Sequence, residues 1–305
     1  MSPSKQNGVA IIMVLLIVAL ATSLAAFMAT QQNLWLRQVE SQFDRAQARR
    51  IGIAAIDWSR AVLADDASSS NIDHGKEVWT LRLPAMPVEN GEVIGVIEDR
   101  QGLFNLNKLV RNGTTSAPDV AQFKRLLGIL GLPVELASTL ADWMDEDSEM
   151  QYSDGAENGY YLALPHPYRA ANRPLTEIGE LSLVKGFDSR TIEHLRPFVT
   201  TLPLHGALNV NFATPEVLAA VIENMSLADA RLLVQQRSVH PFKDVADFEQ
   251  RLPHGGIQVS DATITVSSQF FLVTGRASMG RSQVTTQALL QRTGIWPTVV
   301  WQSVQ

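Results

Sequence analysis

A dense group of carboxylates lies near the middle of the chain. Positions 142–157 contain seven Asp and Glu residues, and no Lys or Arg follows before Arg169. Ca²⁺ recruits about six to eight oxygen ligands in flexible geometry, so this acidic segment is typical of a calcium site. Taken alone, a dense group of carboxylates is more often a solvated loop without a ligand, so both interpretations stay open at this point. The predicted oxygen donors are Asp145, Asp147, Glu149, Glu157 and Asn158.

The acidic segment does not follow the EF-hand pattern. Asp145, Asp147 and Glu149 have the spacing of the first three ligands, but Met150 stands in the position of the loop glycine. Ala156 stands where the bidentate Glu belongs. A structureless excursion of about 30 residues is uncommon in a compact domain unless something holds it in place. An irregular calcium loop is therefore the prediction.

No arrangement typical of catalysis accompanies the carboxylates. The chain has no Cys, which excludes disulfides, thiolate nucleophiles and Cys-ligated zinc. Its six histidines are scattered without an H-E-x-x-H motif, and there is no G-x-S-x-G, P-loop or G-x-G-x-x-G. We predict a protein that is not an enzyme. The alternative is a membrane-anchored periplasmic hydrolase with a two-metal site, but no His accompanies the carboxylates before His166.

The charge balance argues against a nucleic-acid partner. The 305 residues include 25 Lys and Arg against 31 Asp and Glu, a net charge of −6. Proteins that bind nucleic acids normally show a basic excess or stripe. A tethered DNA receptor of an uptake system is a further alternative, because two Asn-x-Asn segments followed by helix pairs are similar to helix-hairpin-helix modules. That alternative predicts salt-sensitive binding of duplex DNA.

A long helix at the N-terminus is the first element of the fold. Val9–Met28 contains no charge, and a helix of that length spans about 30 Å, the thickness of the hydrocarbon layer. Apolar residues then continue at helical spacing to about Ala64, which predicts one helix of about 55 residues with residues 9–30 in the membrane. A cleaved secretory signal is the alternative, but its apolar region would be shorter and would end in an A-x-A-like site.

Strand patterns lie at both ends of the remaining chain, and helical periodicity lies between them. The predicted strands are 77–83, 92–98, 262–266, 269–278, 281–291 and an edge strand at 297–302. We predict an α+β fold in which the long N-terminal helix packs on an antiparallel sheet that carries a large inserted all-helical domain. The predicted regions are 31–101 for the helix and first strands, 102–257 for the inserted domain and 258–305 for the last strands.

The inserted domain contains a degenerate repeat. Residues 104–107 (F-N-L-N) match residues 208–211 (L-N-V-N), and residues 174–181 match residues 241–248. The first copy is longer than the second, and the extra residues contain the acidic segment. We expect the repeat to act as a packing unit.

The first residues of the chain resemble those of a known family. A short polar leader, residues 1–8, ends in Gly8 directly before the apolar run. This resembles the signal of type IV pilins and pseudopilins, which a prepilin peptidase cuts after the Gly on the cytoplasmic face. The resemblance implies removal of the leader and methylation of Val9 as the mature N-terminus. The signal places the N-terminus of the chain in the cytoplasm. The positive-inside rule favours the opposite orientation, because Lys5 precedes the span and several arginines follow it.

One departure from the pilin pattern narrows the resemblance. Met13 occupies the fifth mature position, where most pilins have Glu. A chain that lacks this Glu resembles the K-type minor pseudopilins of the type II secretion system, the general secretion pathway protein K family. Members of that family have a pilin fold with a large helical insertion. The D-W-M-D-E-D and G-A-E-N-G-Y-Y-L stretches also resemble the family's calcium-binding loop.

The resemblance implies a structural role. A K-type pseudopilin forms the pseudopilus tip with the minor pseudopilins of the I, J and H types. It promotes assembly on an inner-membrane platform for the export of folded periplasmic proteins across the outer membrane. The chain would cross the inner membrane once, with its C-terminal domain in the periplasm. Its calcium would be structural.

Overall fold

The computed structural model describes residues 7–82, 84–151, 153–203, 206–253, 257, 259 and 262–305. Its helices are α1 (Asn7–Ser69), α2 (Ala117–Ile129), α3 (Leu136–Met144), α4 (Asn158–Tyr161), α5 (Ser189–Leu195), α6 (Pro215–Val221), α7 (Leu227–Val239) and α8 (Val245–Gln250). Its strands are β1 (Met86–Val88), β2 (Gly91–Asp99), β3 (Phe104–Asn105), β4 (Val110–Arg111), β5 (Thr114–Thr115), β6 (Val199–Thr200), β7 (Leu208–Asn209), β8 (Ile264–Thr265), β9 (Phe270–Met279), β10 (Ser282–Gln291) and β11 (Thr298–Val304).

Helix α1 has an exposed half and a packed half. It contains 63 residues, so it is about 95 Å long. In the described part of the chain it is the one helix long and apolar enough to cross a membrane, and its most apolar window has no buried residue. The second half packs on the sheet through Ala48, Ile56 and Leu63, which are almost fully buried.

The helix continues beyond its predicted end near Ala64. The hydroxyls of Ser68 and Ser69 donate hydrogen bonds to the main-chain carbonyl of Asp65, at 2.7 and 3.3 Å. Serine side chains that bond back to the preceding turn can be accommodated within a helix. The polar segment therefore forms the last turn of α1 instead of a break.

The main sheet is antiparallel and places the strand before the insertion beside the strand that follows it. Its strand order in the described residues is β1-β2-β9-β10-β11. Strand β2 pairs directly with β9, with Asp99 opposite Phe271. The residues between Asp99 and Phe270 therefore form an insertion that leaves the sheet and returns to it at one end. This arrangement agrees with the predicted α+β fold, and β11 is the predicted edge strand.

A glycine allows the close contact between α1 and the sheet. Gly52 lies against Thr286 of β10, and a Cβ atom at position 52 would collide with the Thr286 hydroxyl. Thr286 is itself fully buried. This packing orients α1 across β9 and β10, so the apolar half of the helix extends beyond the sheet.

One of the predicted strands is wrong. The segment predicted at 77–83 contains a turn of 3-10 helix at Val78–Thr80, and β1 comes later; Leu83 lies outside the described residues. Burial of Trp79 explains the difference, because its ring packs against Phe212 and Phe271 at centroid distances of 5.5 and 5.2 Å.

The segment predicted as a strand at 262–266 pairs elsewhere than expected. It contributes only β8, which pairs in parallel with β7 of the insertion and does not join the main sheet. This segment therefore lies with the insertion, although the predicted boundary at 257 and 258 separates the two. The insertion is also not entirely helical, because β3 to β8 lie within it.

The two copies of the repeat make matching hydrogen bonds. In the first copy the Asn107 side chain donates to the Leu175 carbonyl at 3.0 Å and accepts from the Leu175 N–H at 2.8 Å. In the second copy Asn211 makes the same pair of bonds to Phe242, at 3.0 and 2.9 Å. Each copy also contains a two-residue parallel strand pair, β3 with β6 and β7 with β8. The repeat is therefore a packing unit closed by a buried asparagine.

Replacement of this asparagine is expected to destabilise the insertion. Asn211→Leu would leave the N–H and C=O of Phe242 buried without partners, and each orphaned group costs about 1–3 kcal/mol. We expect the melting temperature to fall by about 5–10 °C. The control is Gln235→Leu on the exposed face of α7, which should change the free energy of unfolding by about 0.5 kcal/mol or less. Equal melting temperatures for the two variants would contradict a closing role for Asn211.

Candidate metal centre

Helix α3 positions the first carboxylates of the acidic segment. All nine of its residues are buried, so the helix passes through the core of the insertion. Asp142 lies in its last turn and is fully buried. Asp145 follows the helix with an extended backbone and is also fully buried. The chain therefore places two acidic side chains inside the protein at the end of one helix.

The chain returns to this point at Glu157, just before α4. The Ala156 N–H donates a hydrogen bond to Asp142 Oδ2 at 3.0 Å. This bond connects the end of the loop to α3. Tyr161 in α4 is fully buried, and its ring packs edge-on against Trp143 at 4.9 Å. The contact between Trp143, before the loop, and Tyr161, after it, thus keeps the two ends of the acidic segment together.

Three of the five predicted ligands come together. One carboxylate oxygen from each of Asp145, Asp147 and Glu157 lies within 4.8 Å of the others. Asp145 uses its second oxygen to accept a hydrogen bond from the Thr115 hydroxyl at 2.9 Å. Asp147 accepts from the Glu149 N–H at 2.8 Å. The group therefore has both free oxygens and oxygens fixed by hydrogen bonds.

Several buried oxygens of this group have no hydrogen-bond partner among the described residues. They are Asp142 Oδ1, Asp145 Oδ1 and both carboxylate oxygens of Glu157. Glu157 is only 4% exposed, and both aspartates are fully buried. A buried carboxylate oxygen without a partner is costly. A divalent cation with hard oxygen ligands at the group of Asp145, Asp147 and Glu157 would satisfy the orphaned oxygens of Asp145 and Glu157, so the residues present fit Ca²⁺.

The same burial changes the acidity of the group. Loss of solvation raises the pKa of Asp145 to about 6 and that of Glu157 to about 7, and the neighbouring carboxylates add to both effects. Burial also raises the pKa of Asp142. The folded protein without a cation therefore retains protons that the unfolded chain has already lost, whereas a cation stabilises the ionised carboxylates.

These pKa values predict a calcium effect that increases with pH. Without calcium, the unfolded carboxyls ionise near pH 4 but the folded ones only near pH 6 to 7. The free energy of unfolding of the metal-free protein therefore decreases as the pH rises from about 4 to about 7. Calcium binds the ionised form and should oppose the decrease. We expect the difference in melting temperature between calcium-loaded and metal-free protein to be small at about pH 5 and largest at about pH 8.

The calcium-dependent difference is the diagnostic quantity in that experiment. Burial also raises the pKa of Glu77 and of Asp99 to about 7, and both lie outside the acidic segment. Their ionisation destabilises the loaded and the metal-free protein alike, so it cancels in the difference. A difference that is independent of pH would contradict binding by the buried carboxylates.

Two predicted ligands have other positions. The Glu149 carboxylate lies outside the group and is exposed. The Asn158 side-chain oxygen accepts from the Ala170 N–H at 3.1 Å, so it connects the loop to the next segment of chain. Asp142 is the buried carboxylate that the sequence prediction omits from the ligands. Its place in the periodic apolar run of α3 is the signal that it points inward.

A second group of carboxylates has hydrogen-bond and ion-pair partners within the protein. Asp66, Asp73 and Glu77 also bring oxygens within 4.8 Å of one another. Arg292 pairs with Asp66 at 3.0 Å and with Asp73 at 2.6 Å. Glu77 accepts from the Trp79 indole N–H at 2.8 Å and from the His74 N–H at 2.9 Å. These three carboxylates thus have partners within the described structure, and none of their oxygens is among the buried atoms without a hydrogen bond. The group gives weaker support for a cation than the acidic segment does.

The predicted processing site lies at the start of α1. Gly8 and Val9 fall in the first turn of this helix, and Met13 follows within its apolar half. No described residue outside the helix buries this part of the chain. The leader residues 1–6 lie outside the described residues.

Comparisons with known proteins identify the class and then the family. A long helix with an exposed apolar half, packed on an antiparallel sheet, defines a pilin-like protein. A family model for the first domain of type II secretion system (T2SS), protein K, matches residues 102–204, and the T2SS protein K model matches residues 208–267. These ranges separate the two copies of the repeat.

Relatives match over nearly the whole chain. Type II secretion system protein K of Pseudomonas aeruginosa is 35% identical over 298 residues, covering 94% of this chain and 89% of the relative. The protein of that name from Pectobacterium carotovorum is 32% identical, covering 95% of this chain and 94% of the relative. The chain belongs to the type II secretion system protein K family, and is thus a pseudopilin of that system.

A solved structure has the same fold. GspK in the GspK-GspI-GspJ complex of the enterotoxigenic Escherichia coli type 2 secretion system matches with a TM-score of 0.78 and 26% identity. The match covers 88% of this chain and 99% of that chain. The predicted family and fold class are confirmed. The hydrolase and DNA-receptor alternatives receive no support from these matches.

Proposed function

We propose that this chain caps the pseudopilus tip together with the minor pseudopilins of the I, J and H types, and that it promotes pseudopilus assembly. The observation that carries the proposal is the match over 88% of the chain to GspK, which was solved in complex with GspI and GspJ. The chain supplies structure and contacts, and the proposal assigns it no catalytic step.

The position of the insertion supports a place at the tip. Ala48 packs near Val93 and Ala277 at one end of the sheet, and Leu63 packs near Phe271 at the other end. The apolar half of α1 precedes Ala48, so the membrane lies beyond the first end. The insertion leaves β2 after Asp99 at the opposite end. Its bulk would obstruct a subunit stacked on the side away from the membrane.

The N-terminal residues support the same place. A carboxylate at the fifth mature position pairs with a neighbouring N-terminal amine in most pilins, and Met13 cannot do so. A subunit at the end of the filament lacks one neighbour, so the loss of this pair is tolerated there. We further propose cleavage between Gly8 and Val9 by the prepilin peptidase, methylation of Val9, and a single inner-membrane span with the C-terminal domain in the periplasm.

We propose that the acidic segment binds structural Ca²⁺. Asp145, Asp147 and Glu157 would hold the ion, with Asp142 next to them. The ion would supply the positive charge that the orphaned oxygens of Asp145 and Glu157 lack. Its role would be to fix the loop between α3 and α4 and so to stabilise the first copy of the repeat. No step of a reaction is assigned to the ion.

The test of the proposed function is co-purification from membranes. The full chain, tagged at its C-terminus, is expressed with the I-type and J-type minor pseudopilins of the same bacterium and extracted in mild detergent. We expect both partners to co-purify in stoichiometric amounts. The control bait is an unrelated periplasmic protein with one transmembrane helix. If the folded chain captures neither partner beyond the control, the proposed function is wrong.

A further inference from the structure

The last strand leaves one edge of the main sheet open. Among the described strands, β11 pairs with β10 alone. Its seven residues lie in a stretch, 293–305, without a single charged side chain. Proteins usually protect an open edge with charges, with proline or by keeping the strand very short. An unprotected edge of this length favours the addition of another strand.

The backbone hydrogen bonds show which groups face the open edge. Thr285 and Gln305 exchange both of their backbone bonds, at 2.9 and 2.8 Å. Facing residues of an antiparallel pair alternate between bonded and non-bonded positions. Trp301 and Ser303, opposite Leu289 and Gln287, therefore bond to β10. The N–H and C=O groups of the alternate residues Gln302 and Val304 point away from the sheet.

Large apolar side chains are exposed in β11 and in the residues just before it. They form the β11 edge patch, which consists of Ile295, Trp296, Val299, Val300 and Trp301, each 38–65% exposed. Exposed tryptophans are uncommon on a solvated surface and are enriched at the centres of protein interfaces. The patch can therefore bury side chains on a strand that pairs with β11.

A groove beside the patch offers a positive charge. Trp301 and Leu289 of the sheet line it together with Leu202 of the insertion, and Arg100 forms part of its wall. Burial lowers the pKa of Arg100. No described residue accepts a hydrogen bond from its guanidinium group. Glu98 and Asp99 act on this charge without a direct bond to it, and a carboxylate on a docked segment would accept the hydrogen bonds that the guanidinium group can donate.

A second copy of this chain is a poor occupant of the edge. Antiparallel pairing of β11 with itself would place a two-fold axis perpendicular to the sheet. Helix α1 lies along the sheet surface, so the α1 helices of the two copies would point in opposite directions. The apolar halves of the two helices would then extend to opposite sides and could not enter one membrane. An antiparallel homodimer is therefore incompatible with a membrane-anchored chain.

We propose that the open edge of β11 is a docking site for an extended segment of a neighbouring pseudopilin, which adds to the sheet as a further strand. The segment carries apolar side chains that cover the β11 edge patch and an acidic side chain that reaches Arg100. The inference rests on the proposed function, because the neighbour is one that lies beside this chain in the same membrane.

A proline at the outward-facing position tests this inference. Gln302→Pro removes an N–H that points to the open edge and leaves the bonds of Trp301 and Ser303 to β10 intact. Gln302→Thr is the matched control, because it also replaces the side chain but keeps the N–H. Both full-length variants are purified in detergent, and their affinities for the I-type and J-type pseudopilins are measured. We expect the proline variant to bind one of the two partners at least about tenfold more weakly than the threonine variant.

Hydrogen exchange of the unaltered chain gives a second readout that does not depend on the folding of a variant. The amide hydrogens of Gln302 and Val304 should exchange at least about tenfold more slowly in the complex than in the free chain. Equal affinities of the two variants, with both amides unprotected in a complex that does form, would overturn the inference and leave the proposed function intact. If the unaltered chain binds neither partner, the proposed function fails and this inference fails with it.

Discussion

Removal of calcium is expected to lower the melting temperature of the chain by about 5–10 °C at pH 7.5. An ion that binds only the folded state stabilises it by about 2.7 kcal/mol when its concentration is a hundredfold above Kd. The effect has a structural origin, because Asp145 and Glu157 have buried oxygens that lack hydrogen-bond partners in the described structure. Calorimetry with excess calcium and with excess chelator measures the difference.

Two variants distinguish the acidic residues that bind from those that do not. Glu157→Gln removes a buried charge and should abolish most of the calcium-dependent difference. The chelated variant should also melt above the chelated unaltered protein, because it no longer buries an unpaired carboxylate. Glu149→Gln is the control, since the Glu149 carboxylate lies outside the group, and it should keep the full difference. A melting curve unaffected by chelator would mean that the segment is only a solvated acidic surface.

Replacement of Arg292 is expected to have an effect of similar or larger size. Its side chain is 9% exposed and pairs with Asp73, which is 1% exposed, at 2.6 Å. It also pairs with Asp66 at 3.0 Å and lies over the Phe271 ring at 4.7 Å. Arg292→Leu would leave Asp73 buried without this charge partner, and breaking a buried pair in this way costs about 3–5 kcal/mol. The melting temperature should fall by about 10 °C.

The control for Arg292 is an ion pair of the same type on the surface. Arg196 and Glu193 lie 3.0 Å apart, and their side chains are 51% and 68% exposed. Arg196→Leu should cost about 0.5 kcal/mol or less. Arg292 connects the end of β10 to Asp66 near the end of α1. Equal melting temperatures for Arg292→Leu and Arg196→Leu would mean that this connection does not stabilise the fold.

Long periodic elements were predictable from the sequence, whereas short ones were not. Helix α1 repeats one apolar pattern over many residues, and β9 and β10 are long stretches rich in Val, Thr, Phe and Leu on either side of the turn at Gly280. The stretch around Trp79 alternates like a strand, but the burial of one indole ring between Phe212 and Phe271 decides its conformation. Strand β8 depends on its pairing with β7, a contact that spacing along the chain does not specify.

The grouping of acidic side chains was predictable from the sequence, but not the full set of residues, and the bound calcium stays a prediction. The density of acidic residues predicts a cluster of carboxylates, and three of the predicted ligands are grouped. The direction of each side chain depends on how the backbone turns after α3. Asp145 takes an extended conformation there, and Glu149 is exposed. Asp142 belongs to a helix and not to a loop, so a search for loop ligands overlooks it.

The mature N-terminus tests the central claim, that this chain is a processed pseudopilin, most directly. The protein is isolated from membranes of cells that contain the prepilin peptidase, and its first residues are identified by mass spectrometry. We predict a chain that begins at Val9 with a methylated amine, and we predict that Gly8→Leu leaves the precursor uncut. A mature chain that begins near Thr30, after loss of the whole apolar segment, would contradict the account.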